Sequence, residues 1–273
     1  MSSQHKTNFL KWALQRKGYR WAGFRKPQNQ VLKRVQQRIH ELGLSGGFTE
    51  YKDYLESNPE EWEVFDALCD VTISRFFRDR EIWDYLRFDV LPTLINRGTT
   101  EKIRVWSAGC CNGEEACSIA MLFDMVCSEA GLESLDILAT DRNEDVLKRA
   151  KAGKYPPGSL REMKRNEIEK YFQEDFAGEE YRVIVRLKKL ITFEKRDIRT
   201  SLPDGEFNMI FCRNFAFTYF SKKYQHNFLE RVSSIISKDG FLVLGKRETL
   251  PNNHLFERIH QNFPVYKKIP SEK

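Results

Sequence analysis

The spacing of apolar and polar positions divides this chain into two textures. Between Pro27 and Gly43, the apolar residues Val31, Val35 and Ile39 recur every four positions and Leu42 continues the stripe. That spacing predicts a helix burying one face, with Pro27 suited to open it and Gly43 to stop it. Two shorter helical patterns follow, "TEYKDYLES" and "PEEWEVFDALCD", and no strand pattern interrupts the run to about Asp70. From Glu81 the period changes. A helix through Trp83, Leu86 and Leu91 precedes the apolar run "KIRVWSA", and a helix from Gly113 to Ala130, ended by Gly131, follows it. The strand "LDILATD", the helix "EDVLKRAKAG", the strands "LITFEKRD" and "FNMIFC", the helix "KKYQHNFLERVSSIIS" and the strand "GFLVLG" continue the alternation. Such alternation predicts a parallel sheet covered on both faces, a doubly wound α/β domain. Residues from about 157 to 189 do not fit it. There "PPGSLREMKRNEIEKYF" reads as a loop and short helix and "EYRVIVRLKK" as a strand with one wet face, so a small inserted subdomain is expected. The predicted organisation is an all-helical domain over residues 1–78 and an α/β domain over 79–273.

Composition narrows the chemistry. A chain of 273 residues with 41% hydrophobic content supports a packed core and is too apolar for disorder. No apolar run approaches the ~20 residues that span a bilayer. The opening "MSSQHKTNFLKWALQRKG" lacks the apolar block of a secretion signal, so a cytoplasmic protein without membrane insertion is expected. The six cysteines form no CxxC pair and have no histidines at ligand spacing, which points to free thiols and no metal site. The five histidines all lie outside the segments singled out below, which disfavours chemistry resting on a histidine base.

Charge is unevenly placed. The first forty residues hold ten Lys and Arg and no Asp or Glu, although the whole chain is only +6. A basic end suits an acidic partner, whether nucleic acid, an anionic membrane face or an acidic protein surface, unless the charges are simply solvated helix faces.

The stretch "VWSAGCCNGEEACSIA" carries the candidate chemistry. Ala108 and Gly109 let a ligand approach the backbone at the carboxyl end of a strand, where open α/β sheets bind their ligands. Gly109 and Gly113 do not make the G-x-G-x-x-G of a dinucleotide site, and Glu114 and Glu115 would repel a pyrophosphate at that helix start. A cofactor with an adenosine, no phosphates and a cationic group suits the acidic turn, and S-adenosylmethionine has that description. Asp141, ending "ATD", is placed to accept the ribose hydroxyls, or else to cap the next helix. Asn143 is also available as that cap, which favours the ribose. Asp197, ending "KRD" beside Ile198, reads as an adenine contact or as a turn residue.

In order and spacing, "VTISRFFRDREIWDYL", "RVWSAGCCNGEEACSIA", "ILATDRNEDVLKRAKAGKY" and "FNMIFCRNFAFTYF" resemble the CheR-type methyltransferases, S-adenosylmethionine-dependent enzymes that esterify glutamate side chains on bacterial chemoreceptors. The resemblance runs from about Glu50 to about Glu248. It implies a Rossmann-like class I methyltransferase domain with a small inserted β-subdomain behind an N-terminal helical domain. It places Thr72, Ser74 and Arg78 near the cofactor, with Arg78 also on the substrate carboxylate. It also implies that Glu115 binds the amino acid end of the cofactor, Asp141 the ribose, and Asp197 with Ile198 the adenine, while Gly109, Cys212, Arg213 and Asn214 line the site. Arg78 and Tyr219 are the expected catalytic positioning residues. The implied partner is an acidic, helical protein substrate rather than nucleic acid.

Two departures bear on the substrate. The family commonly reads C-R-N-x-x-I-Y-F, whereas "CRNFAFTYF" is one residue longer before Tyr219. Further on, Lys246 and Arg247 stand where the family usually has histidine and serine. Another acceptor, on a protein or a small-molecule acid, and a non-catalytic cofactor-binding module are the alternatives to glutamate methylation.

Overall fold

The computed structural model describes residues 3–95, 102–127 and 132–270. It divides into two compact units, Met1–Val71 with Thr218–His226, and Thr72–Phe217 with Asn227–Lys273.

The first unit is helical, with helices Ser3–Arg16, Trp21–Phe24, Gln28–Glu41, Phe48–Ser57 and Glu61–Leu68. The stripe read from the sequence is buried: Val31, Val35 and Ile39 pack with Phe9, Leu10, Leu14, Tyr51 and Phe65 in the core. Pro27 stands at the N-cap of its helix, one residue before the first-turn position that proline favours. A buried carboxylate holds three elements together. Glu61, 3% exposed, accepts Arg38 Nε at 2.9 Å and Nη2 at 2.8 Å, and the Tyr51 hydroxyl at 2.8 Å. Pairing of this kind offsets the cost of burying the charge.

Several of the ten early cations serve the same structural purpose. Lys17 pairs with Glu63, Arg34 donates to the carbonyls of Leu68 and Asp70, and Arg20 donates to the Thr218 carbonyl. Lys11, Arg25, Lys26 and Lys33 are exposed.

In the second unit, strands β1 (Ile103–Ala108), β2 (Leu135–Asp141), β6 (Ile191–Lys195), β7 (Phe207–Cys212), β8 (Ile236–Leu244), β9 (Phe256–Arg258) and β10 (Val265–Lys268) form one sheet in the order β6-β2-β1-β7-β8-β10-β9. β6, β2, β1, β7 and β8 pair in parallel, whereas β10 runs antiparallel to β8 and to β9. The first five therefore match the doubly wound expectation, and the terminal hairpin adds an edge that the alternation alone does not predict. The chain steps outward from β1 through β2 to β6 and then crosses to β7, so the strand order reverses at β1. Ligands of open α/β sheets sit at the carboxyl ends of strands around such a reversal.

The inserted region holds the small antiparallel sheet of β3 (Lys154–Tyr155), β5 (Tyr181–Val183) and β4 (Phe172–Glu174), with the helix Arg165–Tyr171. The expected strand "EYRVIVRLKK" is cut short, because Val185–Lys188 turns into a helix that buries Leu187. The helix through Trp83 contains a π turn, Leu86–Val90, between Arg80–Tyr85 and Leu91–Ile95. The extra residue of that turn brings Trp83, Leu86 and Leu91, spaced three and then five apart, to the buried face. The helix after β1 spans Glu114–Asp124; its expected end at Ala130 and Gly131 lies outside the described residues. Among the described residues no helix is long and apolar enough to cross a membrane.

Candidate active site

β1 delivers Ala108 to the sheet edge, and the loop 109–113 turns into the helix Glu114–Asp124. Gly109 has φ +79°, and a Cβ there would meet the Phe215 ring at 2.5 Å, so this position needs glycine both for its backbone and for the aromatic ring laid against it. The loop is pinned to the next strand. The N–H groups of Gly109 and Cys110 both donate to the Thr140 carbonyl, at 2.8 and 2.9 Å. Asp141 continues that lock: Oδ2 accepts the Cys111 N–H at 3.0 Å and Oδ1 the Asn143 N–H at 2.9 Å. The N-cap of the following helix is Asn143, whose side chain accepts from Asp145 and Val146. Asp141 is thus released from capping, and stands half-buried at the end of β2 with its carboxylate joining two loops.

The two consecutive glutamates face different surroundings. Glu114, 2% exposed, accepts the Ser159 hydroxyl at 3.3 Å and a hydrogen bond from Ser74, while its Oε2 has no partner. Burial pushes its carboxyl above the ordinary value, against the pull of those hydrogen bonds and of Arg149. Glu115 accepts the Ser107 hydroxyl at 2.8 Å and stands 3.5 Å from Arg213 Nη1. Burial raises its carboxyl too, and Arg213, Ser107 and Arg78 oppose the rise.

Arg213, whose side chain is 2% exposed, is the hub. Its Nη2 donates to the Arg78 carbonyl at 2.5 Å and to Asp79 Oδ2 at 3.1 Å, and its guanidinium lies over the Trp83 ring at 5.1 Å. The segment it holds is strained: Phe77 and Asp79 have φ of +49° and +60° on either side of Arg78. Further hydrogen bonds fix that turn. Phe77 N–H donates to the Ser118 hydroxyl at 3.0 Å, Phe76 N–H to the Ser159 carbonyl at 3.0 Å, and Asp79 N–H to Glu162 at 3.0 Å. Phe76 and Phe77 are buried. Arg78 is half-buried, with Nη1 donating to the Ile73 carbonyl at 3.1 Å.

The other expected residues divide. Asp197 is gripped by Arg199, whose N–H donates to Oδ1 at 2.9 Å and whose Nε reaches Oδ1 at 3.0 Å and Oδ2 at 3.1 Å. Despite its burial, that arginine keeps the Asp197 carboxyl below its usual range. Asp197 thus takes part in the turn just past β6, beside a buried Ile198. Cys212 is fully buried, and burial pushes its thiol far up, so it presents no reactive thiolate. Asn214 adopts φ +55° and its N–H donates to Glu248 Oε2 at 2.6 Å. Thr72 and Ser74 lie half-buried on the strained segment. Tyr219 ends the short helix Ala216–Tyr219 and is counted with the helical unit, where its ring meets Phe24 edge-on at 5.0 Å. Ser107, Glu162 and Arg199 were not singled out from the sequence, because nothing local marks a serine inside a strand or a distant ion partner.

The donor set fits a cationic, phosphate-free ligand. Around the reversal point stand the carboxylates of Glu115 and Asp141, and the nearby arginine Arg213 is already engaged with Glu115 and Asp79. A pyrophosphate would be repelled by the Glu115 and Asp141 carboxylates, whereas an ammonium or sulfonium finds compensation there.

The CheR methyltransferase SAM-binding domain matches residues 72–264. A chemotaxis protein methyltransferase of Listeria monocytogenes is 33% identical over 207 residues, covering 75% of this chain and 76% of its own. One of Borreliella burgdorferi is 31% identical over 229 residues, covering 81% and 80%, and one of Escherichia coli is 31% identical over 239 residues, covering 85% and 79%. With the sheet order, the acidic loop and the arginine hub, these matches establish that the chain belongs to the CheR methyltransferase family and is an S-adenosylmethionine-dependent methyltransferase.

Proposed function

We propose that the chain methylates the γ-carboxylate of glutamate in a partner protein, forming a methyl ester. The observation that carries this reading is the placement of Arg78. A strained, multiply hydrogen-bonded turn carries this arginine, its carbonyl held by Arg213 and its charge acting on Glu115, and the described residues gathered around it include no histidine to act as base. None is required. A glutamate with an ordinary pKa near ~4.3 is already ionised at neutral pH, so no proton has to be removed before it attacks. When bound, S-adenosylmethionine supplies a methyl carbon activated by sulfonium sulfur. With a neutral thioether as its leaving group, that methyl would need from the protein only an ionised carboxylate held in line with it.

In this reading the protein's task is alignment. Glu115 accepts the cofactor's ammonium, Asp141 the ribose hydroxyls, and the turn at Asp197 and Ile198 borders the adenine. Thr72, Ser74, Gly109, Cys212 and Asn214 complete the walls. Arg78 holds the substrate carboxylate through paired N–H donors. The exposed cations Lys11, Arg25, Lys26 and Lys33 suit an acidic surface on the substrate. The relatives named as chemotaxis protein methyltransferases support a signalling protein as that substrate.

The test is incubation of the purified chain with methyl-labelled S-adenosylmethionine and bacterial membranes, followed by mild base. Volatile labelled methanol is the expected product of a carboxyl ester. Label that stays on protein after base would assign the methyl to nitrogen, and absence of label would favour a binding module.

A further inference from the structure

The end of β8 brings Lys246, at a position where the family usually has histidine, to the helix that follows the Arg78 turn. Leu244 is in register with Cys212 of β7, and the next residue, Gly245, passes so close to Asn214 that a Cβ would lie 2.7 Å from its side-chain amide carbon. Glu248, 4% exposed, locks the two loops together: Oε2 accepts the Gly245 N–H at 2.8 Å and the Asn214 N–H at 2.6 Å. Lys246 leaves the sheet one residue beyond that lock, followed by Arg247, and both are exposed. The Lys246 ammonium pairs with Glu81, in the first turn of the helix that begins directly after Arg78 and Asp79. Asp79 bears electrostatically on Lys246, and Arg213 on Glu81, so the pair sits within the field of the site.

The side chains of Lys246 and Glu81 are 55% and 41% exposed. An exposed pair of long side chains contributes little to stability, because water screens the attraction and both chains lose freedom. Exchange of one carboxylate for another at Lys246 is correspondingly cheap. We propose that Lys246 is a specificity residue: it releases Glu81 and takes a second carboxylate of the substrate, close to the accepting glutamate, with Arg247 adding positive charge. The preferred acceptor then lies in an acidic segment, with its flanking acid about one helical turn away. Glu81 keeps the ammonium at the rim until such a segment arrives. This inference rests on the glutamate reading above.

The experiment compares two synthetic helical peptides with the same central glutamate. One carries glutamate four residues before and after it, and the other carries glutamine at both places. Wild type is expected to prefer the acidic peptide by about fivefold in kcat/KM, expressed in KM, a ratio within reach of one rim ion pair. Lys246→Glu should erase or invert the ratio, and a third peptide with flanking lysines should restore kcat/KM to that variant. Glu81→Gln, which unmasks Lys246, should lower KM for the acidic peptide; a purely structural pair would instead make both variants worse. A wild-type ratio near one, or an unchanged ratio in Lys246→Glu, overturns the proposal while leaving ester formation intact. If no peptide is esterified, the glutamate reading has failed, and this inference with it.

Discussion

The guanidinium of Arg213 lies 3.5 Å from the Glu115 carboxylate while also holding the carbonyl of Arg78. One buried cation thereby links the residue expected to grip the cofactor with the one expected to grip the substrate. Arg213→Met leaves Glu115 buried without its charge partner, so the second unit should lose about 3–5 kcal/mol. Glu115→Gln in that background should recover a substantial part, giving a clear coupling in a double-mutant cycle. Denaturant unfolding followed by tryptophan fluorescence reads this, since Trp83 stacks beneath Arg213. Additive losses would mean that the pair is not coupled.

On the proposed reading, Arg78 acts on the substrate rather than on the fold. Arg78→Ala should reduce methyl transfer by at least ~100-fold through lost alignment and charge stabilisation. Affinity for S-adenosylhomocysteine should fall by less than about tenfold. Single-turnover transfer and calorimetry separate the two, and wild-type turnover in the variant would remove Arg78 from the site.

Glu114 predicts a pH dependence of stability. Burial raises its carboxyl, so the folded chain holds this proton more tightly than the unfolded chain does. Its contribution is fully present below the ordinary glutamate value of ~4.3 and is lost as pH rises through the raised value. Glu114→Gln, neutral at every pH, should therefore melt above wild type near pH 7.5. The advantage should shrink or vanish toward pH 4. Parallel melting curves across that range would show that Glu114 does not titrate with folding.

Gly109 carries two constraints that can be separated. Gly109→Ala meets both the positive φ and the Phe215 ring, at an expected cost of about 2–4 kcal/mol. In a Phe215→Ala background the same substitution should cost less, because only the backbone term remains. An equal cost in both backgrounds would show that the ring does not set the requirement.

Much of this was legible in the sequence where local pattern and tertiary burial agree. "LDILATD" and "FNMIFC" are strands over the same residues, and Val31, Val35 and Ile39 are buried together. The π turn at Leu86–Val90 was hidden in the five-residue step from Leu86 to Leu91, which a uniform helical period treats as noise. "EYRVIVRLKK" alternates like a long strand, yet burial of Leu187 against the domain core bends its second half into a helix. In the site, the acidic loop identified the class of ligand, but it could not divide the labour of Glu114 and Glu115. That division comes from Ser159, Ser107 and Arg213, residues distant in sequence or unremarkable in type. The commitment of Asp197 to Arg199 was equally out of reach, since two neighbouring charges two positions apart read as solvated.

The central claim is that Glu115 meets the cationic end of a phosphate-free methyl donor. Its most direct test is calorimetric titration of S-adenosylhomocysteine, which retains the ammonium, into the wild-type chain and into Glu115→Gln, with NAD as control. The account predicts binding to wild type, weakening of about thirtyfold or more in the variant from loss of a charge-assisted hydrogen bond, and no heat from NAD. Equal affinity in wild type and variant, or a preference for the dinucleotide, would contradict it.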